Sequence, residues 1–553
     1  MDSPDARFFP KGMPARLTVP SLTLGENLEA AARRFPERAA LVFYDGVLTY
    51  RDLLGQVRAM AGFLQQHCGV VRGDRVLLLS QNCPQFVIAF YATVSLGAAV
   101  VPVNAMSTSA ELDHYVGDSG ARVAFCAQEL YSQLRPCMDA ERLHRVVLHS
   151  YSDYLGDRDN DSTPGWVRAP ARAIDDPALV SWRDALAMKA SASAERFAND
   201  QLCVLPYTSG TTGTPKGCLL DHRNLMTAIY ASSVWRALNA ECVFLSVAPM
   251  FHMLGLQSSM NLPIMLGATS VIMPRWDRDL AADLIQRWRV NIWGAPPAMI
   301  MDFFAKQDLT AFDLTSLTLI FGGGAAMPEA VARTLSDDHG ITFNESYGLT
   351  ETAAFLHANP VSRNKRQCLG VATFGVLSRV VDPETGEPLP DGEVGELITH
   401  GEQVMHGYWN NDQANREAFL QRDGLRFFRT GDLAYRDEDG YFFLVDRLKR
   451  MISVSGYKVW PAEIENFMYH HPAVREACVI SVPDEKSGER VEAVIVLKEG
   501  PAGQVSEQQI IDWARQKMAV YKAPRRVVFV DSLPKSGAGK VLWRQIQEEH
   551  RLA

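Results

Sequence analysis

The chain has no uninterrupted apolar run long enough to cross a bilayer, which takes about 20 residues. Its two most apolar stretches, residues 86–103 and 242–274, are cut by Gly97 and Pro102 and by Pro249, Gly255, Pro263 and Gly267. Both are therefore expected to be core segments broken into short elements, with no transmembrane segment. Lys and Arg form no basic stripe and the net charge is -9, so no nucleic-acid partner is expected. The nine cysteines, an odd number, include no C-x-x-C pair and point to buried thiols in a reducing compartment. Residues 1–20 carry Arg, Lys and Asp where a secretory signal needs an apolar core, and the chain does not finish on the peroxisomal S-K-L. The expected location is cytoplasmic.

What is present is ordinary globular material: 553 residues, 47% hydrophobic and 22% charged, enough for about three to four lobes. Leu24, Leu28, Ala31 and Ala32 recur at helical spacing within residues 22–35. Asp45-Gly46 marks a hairpin, and Thr49 with Asp52 a capping box for a helix through Leu53, Val57, Met60 and Leu64. A strand at 76–79, a helix at 84–96 and a strand at 99–103 follow, and this alternation predicts a parallel sheet flanked by helices. Residues 153–176, rich in Asp, Pro and Gly, read as a surface loop. A helix is expected at 222–235 and strands at 242–248, 317–321 and 342–345. The last hundred or so residues read α+β, with strands at 477–482, 491–497 and 526–529 and a helix at 506–518.

The stretch Tyr207-Thr-Ser-Gly-Thr-Thr-Gly-Thr-Pro-Lys-Gly217 is not explained by packing. It holds four Thr, one Ser and one Lys among three Gly, after the apolar residues 202–206. Glycines let backbone N–H groups turn toward one ligand, hydroxyls add donors and Lys216 adds charge, which suits a polyphosphate. It is not a Walker A loop, because Pro215 precedes Lys216 and Gly217 follows it.

Further stretches carry chemistry. In Ser346-Tyr-Gly-Leu-Thr-Glu351, Tyr347 offers a ring for a purine, Thr350 a hydroxyl for phosphate and Glu351 a hard oxygen for Mg2+. Gly322-Gly-Gly324 leaves open space for a ring or an acyl chain, a tight strand-to-helix turn being the plainer explanation. Met250, Met253, Met260 and Met265 suit either core or an adaptable pocket. Arg429-Thr-Gly-Asp432 presents a carboxylate on a tight turn, with a plain turn cap as the alternative. Residues 446–450, Asp-Arg-Leu-Lys-Arg, read as a solvated connector about which domains pivot. Pro534-Lys-Ser-Gly-Ala-Gly-Lys540 sets a lysine on a glycine-rich loop near the end. Asp531-Ser-Leu533 spells a carrier-domain attachment motif, but only about twenty residues follow, fewer than a helix bundle needs.

In this order, these motifs resemble the signatures of the AMP-forming acyl-CoA synthetase, adenylation-domain and luciferase superfamily over nearly the whole chain. The resemblance implies an α/β fold: a large N-terminal domain, residues 1–446, of doubly wound sheets with a small β-barrel-like subdomain, then a smaller mobile α+β C-terminal domain, residues 447–553, hinged at Lys449. The implied co-substrates are ATP with Mg2+, coenzyme A and a small carboxylic acid. For ATP the resemblance implies Thr208, Ser209, Gly210, Thr211, Thr212, Lys216, Gly323, Tyr347, Gly348, Thr350 and Lys540, with Asp432 on the ribose and Arg447 on ribose or phosphates. For Mg2+ it implies Glu351 and, less directly, Thr208; with Lys540 these two are the residues expected to carry catalysis. Phe251, His252, Leu256, Gly322, Gly323 and Gly324 would line the acyl pocket, and Ser455, Gly456 and Tyr457 would serve the CoA half-reaction.

The chemistry implied is an acid–CoA ligase that forms acyl-AMP and pyrophosphate, then acyl-CoA and AMP. A carboxylate acylates poorly because its leaving group would be oxide, and adenylation replaces oxide with AMP. Two anions must meet, so the site needs preorganised positive charge. The apolar pocket segments contain no internal charge and point to a medium- or long-chain fatty acid. An aromatic acid, or transfer to a separate carrier protein, are the alternatives. A nucleotide-binding regulator without chemistry is disfavoured because every catalytic position is filled. The sequence is compatible with a homodimer and with weak membrane association.

Overall fold

The computed structural model describes residues 5–140, 142–156, 163–193, 196–208, 215–304, 309–324, 327, 329–341, 343–454, 457–484, 488–498, 500, 505–535 and 541–551. The chain divides into two compact units, Met1–Leu377 with His400–Arg426, and Ser378–Thr399 with Phe427–Ala553.

The first unit is built on two α/β sheets. One has seven strands in the order Leu220–Asp221, Leu202–Val204, Ala99–Val103, Arg75–Leu79, Val123–Ala127, Arg145–His149, Leu179–Ser181. All neighbours are parallel except the first pair. Ala99–Val103 and Val123–Ala127 are buried at every position, as strands covered on both faces must be. The other sheet has nine strands. Its six central ones, Phe343–Tyr347, Leu319–Gly322, Ile292–Gly294, Val243–Ser246, Thr269–Ile272 and Ala39–Phe43, run parallel. Antiparallel strands close both ends, Gly46–Thr49 at one and His357–Ala358 with Val371–Ala372 at the other. Trp293, Phe303, Leu245, Ile285 and Ile320 sit in the core against this sheet.

Thr49 makes the expected reciprocal capping box with Asp52 at the start of helix Tyr50–His67, and the structure adds a second, between Thr23 and Glu26, at the start of helix Leu24–Arg34. Each such cap contributes about 1 kcal/mol. The stripe Leu53, Val57, Met60 and Leu64 is buried. The apolar stretch at 86–103 splits at Gly97, φ 69°, between helix Pro84–Ser95 and strand Ala99–Val103. The stretch at 242–274 becomes strand Val243–Ser246, the single helical turn Met253–Gly255, a π-helix Leu256–Asn261, helix Leu262–Leu266 and strand Thr269–Ile272. Among the described residues no helix is long and apolar enough to cross a membrane. Eight of the nine cysteines are buried and Cys68 is half-buried, all as free thiols.

One expectation is extended and one corrected. The described residues of the segment at 153–176 are exposed or half-buried except Thr163 and Val167, as a surface segment should be, but it also holds the helix Gly165–Arg168, where Trp166 packs its ring against Tyr151 and beneath Arg275. The charged connector at 446–450 is only partly solvated. Asp446 is 1% exposed and Arg450 13%. The Asp446 carboxylate accepts from the backbone N–H groups of Arg447 and Ala462, at 2.6 and 2.7 Å, and Arg450 pairs with Glu465. Their charges mark a tie to helix Pro461–Met468, whereas Lys449 is exposed.

In the second unit Leu425–Arg436 pairs antiparallel with Gly395–His400 and Phe442–Arg447. A further sheet carries Tyr457–Val459, Ile452–Val454, Gly488–Leu497 and Val474–Asp484, with Arg526–Phe529 parallel to Gly488–Leu497. Helices Pro461–Met468 and Glu507–Lys517 contribute Ile464, Met468, Ile510 and Ala514 to the core on this sheet. Helix Trp543–Arg551 contributes Ile546 to a separate cluster with Cys478, Ile480 and Val494.

Candidate active site

The Gly/Thr loop is closed at its base. Tyr207–Thr208 and Lys216–Gly217 pair antiparallel, with Thr208 opposite Lys216, so both ends of the loop meet. Ser209, Gly210, Thr211 and Thr212 lie outside the described residues. Helix Ser109–Ser119 holds the residues at both ends of the loop. The Tyr207 hydroxyl donates to Asp118 Oδ2 at 2.6 Å, and His114 Nε2 lies 3.1 Å from the Pro215 carbonyl oxygen. Burial, then the neighbouring Asp118, raise the Tyr207 phenol well above its usual range, so it remains a donor.

Residues 406–409 lie alongside 217–219. Trp409 N–H donates to Gly217 O, Leu219 N–H to Gly407 O and His406 N–H to Leu219 O, at 2.8, 2.8 and 3.0 Å. This strip carries Tyr408 to a central place. Its hydroxyl donates to Glu351 Oε1 at 3.0 Å, and its ring centroid is 5.3 Å from Lys216 Nζ. Met405 N–H also donates to the Glu351 carbonyl at 2.8 Å. One aromatic residue thus spans the expected phosphate-binding cation and the expected metal-binding carboxylate. Behind it, His406 Nε2 lies 2.7 Å from Asp221 Oδ2. That hydrogen bond, more than the charge itself, raises the His406 pKa. Asp221 in turn caps helix His222–Trp235.

Glu351 lies in the 3-10 turn Thr350–Thr352, followed by Ala353 and Ala354 at φ 49° and 68°. Two successive non-glycine residues in the left-handed region are strained, and such strain persists where surrounding structure over-determines it. Tyr347 is buried with its ring 5.5 Å from His357. A Cβ on Gly348 would lie 2.3 Å from the Ala354 carbonyl carbon, so glycine there admits the strained turn.

The run Gly322–Gly324 behaves differently from expectation. A Cβ at Gly322 would meet Ala295 O at 1.9 Å, and one at Gly323 would meet Ser346 O at 2.0 Å. The space expected at the first two positions is filled by neighbouring backbone, so close packing of the strand ends requires both glycines. Gly324 is needed for its φ of 87°. Phe251 and His252 are half-buried and Leu256 is buried at the start of the π-helix. π-Helical turns are rare and occur frequently at functional sites.

In the second unit Asp432 and Arg447 face each other across adjacent strands, and Arg447 Nε is 2.6 Å from Asp432 Oδ1. Thr430 Oγ1 accepts from Asp432 N–H and donates to Leu397 O, and Gly431 takes φ 68°. Tyr457 is exposed and stacks on Tyr521 with centroids 4.8 Å apart. Ser455, Gly456 and Lys540 lie outside the described residues. The loop bearing Lys540 is bracketed by a bridge between Lys535 and Val541 and by Leu542 N–H donating to Pro534 O.

With this geometry in view, the comparisons decide the family. The AMP-binding enzyme family matches residues 28–409, and the AMP-binding enzyme C-terminal domain matches residues 463–540. The chain belongs to the AMP-forming acyl-CoA synthetases. It is similar to a long-chain-fatty-acid–CoA ligase of Bacillus subtilis, 32% identical over 98% of this chain and 97% of that one. It is also similar to a feruloyl-CoA synthase of Amycolatopsis, 34% identical over 93% and 96%. Among solved structures, ATP-bound MatB from Rhodopseudomonas palustris is 27% identical with a TM-score of 0.83, covering 96% of this chain and 99% of that one. This synthetase is therefore an adenylate-forming acid–CoA ligase that uses ATP, Mg2+ and CoA.

Its residues suit the metal. Mg2+ needs oxygen donors and takes only one or two protein carboxylates beside phosphates and water. Among the described residues no group of three His, Cys, Asp or Glu could hold an ion without such help, whereas Glu351 supplies an oriented carboxylate and Thr208 a half-buried hydroxyl. When bound, the ion neutralises phosphate charge. Sequence reasoning had missed Tyr408, Asp118 and His114. Nothing local to them signals a role, because each acts on a partner distant in the chain.

Proposed function

We propose that this ligase activates a medium- or long-chain fatty acid, adenylating it and passing the acyl group to CoA. The observation that carries the acid class is the segment after His252: Met250, Met253, Leu256 and Met260 are buried around a π-helix, an apolar and adaptable wall. The likeness to the Bacillus subtilis ligase supports it. Phe251, His252, Leu256 and Gly322–Gly324 line the acid's path in this reading.

In the adenylation step Lys216 and residues 208–212 hold the outer phosphates, Tyr347, Gly348, Thr350 and Gly323 border the adenosine and α-phosphate, and Asp432 with Arg447 takes the ribose. Glu351, assisted by Thr208, holds Mg2+. Lys540 bridges the carboxylate oxygen and the α-phosphate as the acid attacks phosphorus and pyrophosphate leaves. Residues 447–553 then pivot at Lys449, withdraw Lys540 and bring Ser455, Gly456 and Tyr457 to the thiol, which displaces AMP. The bracketed loop at 536–540 and the exposed Lys449 support this division of labour. The same reading puts the enzyme in the cytoplasm and is compatible with a homodimer and with weak membrane association.

The test is CoA-dependent AMP formation across straight-chain acids from acetate to oleate, with benzoate and cinnamate alongside. The proposal expects a maximum at eight carbons or longer. A maximum at acetate or benzoate, or release of AMP that does not depend on CoA, would overturn it.

A further inference from the structure

Helix His222–Trp235 ends on Arg236, which is 5% exposed. Its guanidinium lies 4.3 Å from the Phe321 ring centroid and 5.0 Å from that of Phe355. Nη1 donates to Ser232 Oγ at 2.7 Å, while Nε and Nη2 are buried without a hydrogen-bond partner. Among the described residues no carboxylate pairs with it. Burial lowers its pKa to about 9, which still leaves it charged at neutral pH.

A buried guanidinium held by one hydroxyl and two phenyl faces is poorly compensated. Rings attract the cation but do not accept from all its N–H donors, and a buried charge is ordinarily paired. The missing partner is an anion with two oxygens, which matches the planar fork of Nε and Nη2.

Arg236 stands among the elements assigned above to the acid. Phe321 immediately precedes Gly322, and its ring would lie 3.1 Å from a Cβ on Gly294, at the point where Ser258 of the π-helix also approaches, at 3.0 Å. Gln257 Nε2 joins the π-helix to Leu225 O on the helix that ends in Arg236, at 3.1 Å, and to Ala353 O at 3.4 Å. Phe355 follows the strained Ala353-Ala354 turn beyond Glu351. The pocket segments have no charge of their own, but the helix beside them supplies one.

We propose that Arg236 binds a second carboxylate on the acid, so that the preferred substrate is a dicarboxylic acid with an apolar middle. This rests on the reading that residues 251–256 and 322–324 border the acid. A plain alkyl tail would leave both Nε and Nη2 buried without an acceptor, and a site built around a polar partner discriminates strongly against the analogue that lacks it.

The experiment compares kcat/KM for octanoate with octanedioate and for decanoate with decanedioate, with 4-hydroxycinnamate against cinnamate as a neutral-oxygen arm. It uses the full-length wild type, Arg236→Met and Arg236→Lys. Each diacid-to-monoacid ratio is taken within one preparation, so a partly unfolded variant does not distort it. The expected wild-type ratio is at least about 10, falling at least about tenfold in Arg236→Met and less in Arg236→Lys. A ratio that is the same in wild type and Arg236→Met overturns the proposal, as does a gain confined to the neutral-oxygen arm. Absence of turnover with every acid by the wild type would instead sink the acyl-pocket reading, and this inference with it.

Discussion

The Tyr408 hydroxyl donates to Glu351 Oε1 across 3.0 Å. A hydrogen bond to a charged carboxylate contributes about 1.5–3 kcal/mol, and here it fixes the orientation of the proposed metal-holding oxygen. Tyr408→Phe keeps the ring that faces Lys216 and removes only that bond. The expected result is a rise of about tenfold in KM for MgATP, or an equal fall in kcat/KM, with the fold intact by circular dichroism. Steady-state pyrophosphate release at varied MgATP measures it, and unchanged kinetics would remove Tyr408 from the site.

Glu345 links stability to pH. It accepts from the backbone N–H groups of Met327 and Cys368, yet burial outweighs these bonds and raises its pKa to about 7. The folded state therefore binds this proton more tightly than the unfolded state, whose carboxyl titrates near its ordinary value. The associated stability is complete below about pH 4.5 and is lost as pH rises to about 7, on the order of a few kcal/mol. Glu345→Gln should flatten that part of the stability curve. Urea midpoints at pH 5, 6, 7 and 8 for both proteins give the comparison, and parallel curves would refute the assignment.

Gly322 and Gly55 should respond oppositely to alanine. At Gly322 the methyl would lie 1.9 Å from the Ala295 carbonyl oxygen, so backbone must move, whereas at Gly55, within helix Tyr50–His67, nothing lies within 4 Å. Gly322→Ala should destabilise by about 1–3 kcal/mol or more, and Gly55→Ala should stabilise by about 0.5–1 kcal/mol. Denaturant unfolding of the two variants in parallel decides it.

Much of this was legible in the sequence where the signal is local. The Thr49 cap, the strand Ala99–Val103 and the helix His222–Trp235 fall where propensity and pattern put them. The order of the motifs sufficed for the family. What stayed hidden depends on contacts between distant positions. Tyr408 meets Glu351 across 57 residues, Arg236 meets Phe321 and Phe355 on other elements, and the need for glycine at 322 and 323 arises from strands beside them. The charges at 446 and 450 looked solvated because their partners, Ala462 and Glu465, lie on a helix that only folding brings near.

The measurement closest to the central claim is acid-dependent exchange of labelled pyrophosphate into ATP, run on wild type and Lys540→Ala beside thioester formation from supplied acyl-adenylate. The account predicts exchange by the wild type only when acid is present. It predicts a loss greater than about 10²- to 10³-fold in the variant, which should still convert acyl-adenylate and CoA to thioester. Exchange by Lys540→Ala at the wild-type rate, or a variant equally dead in both half-reactions, would contradict it.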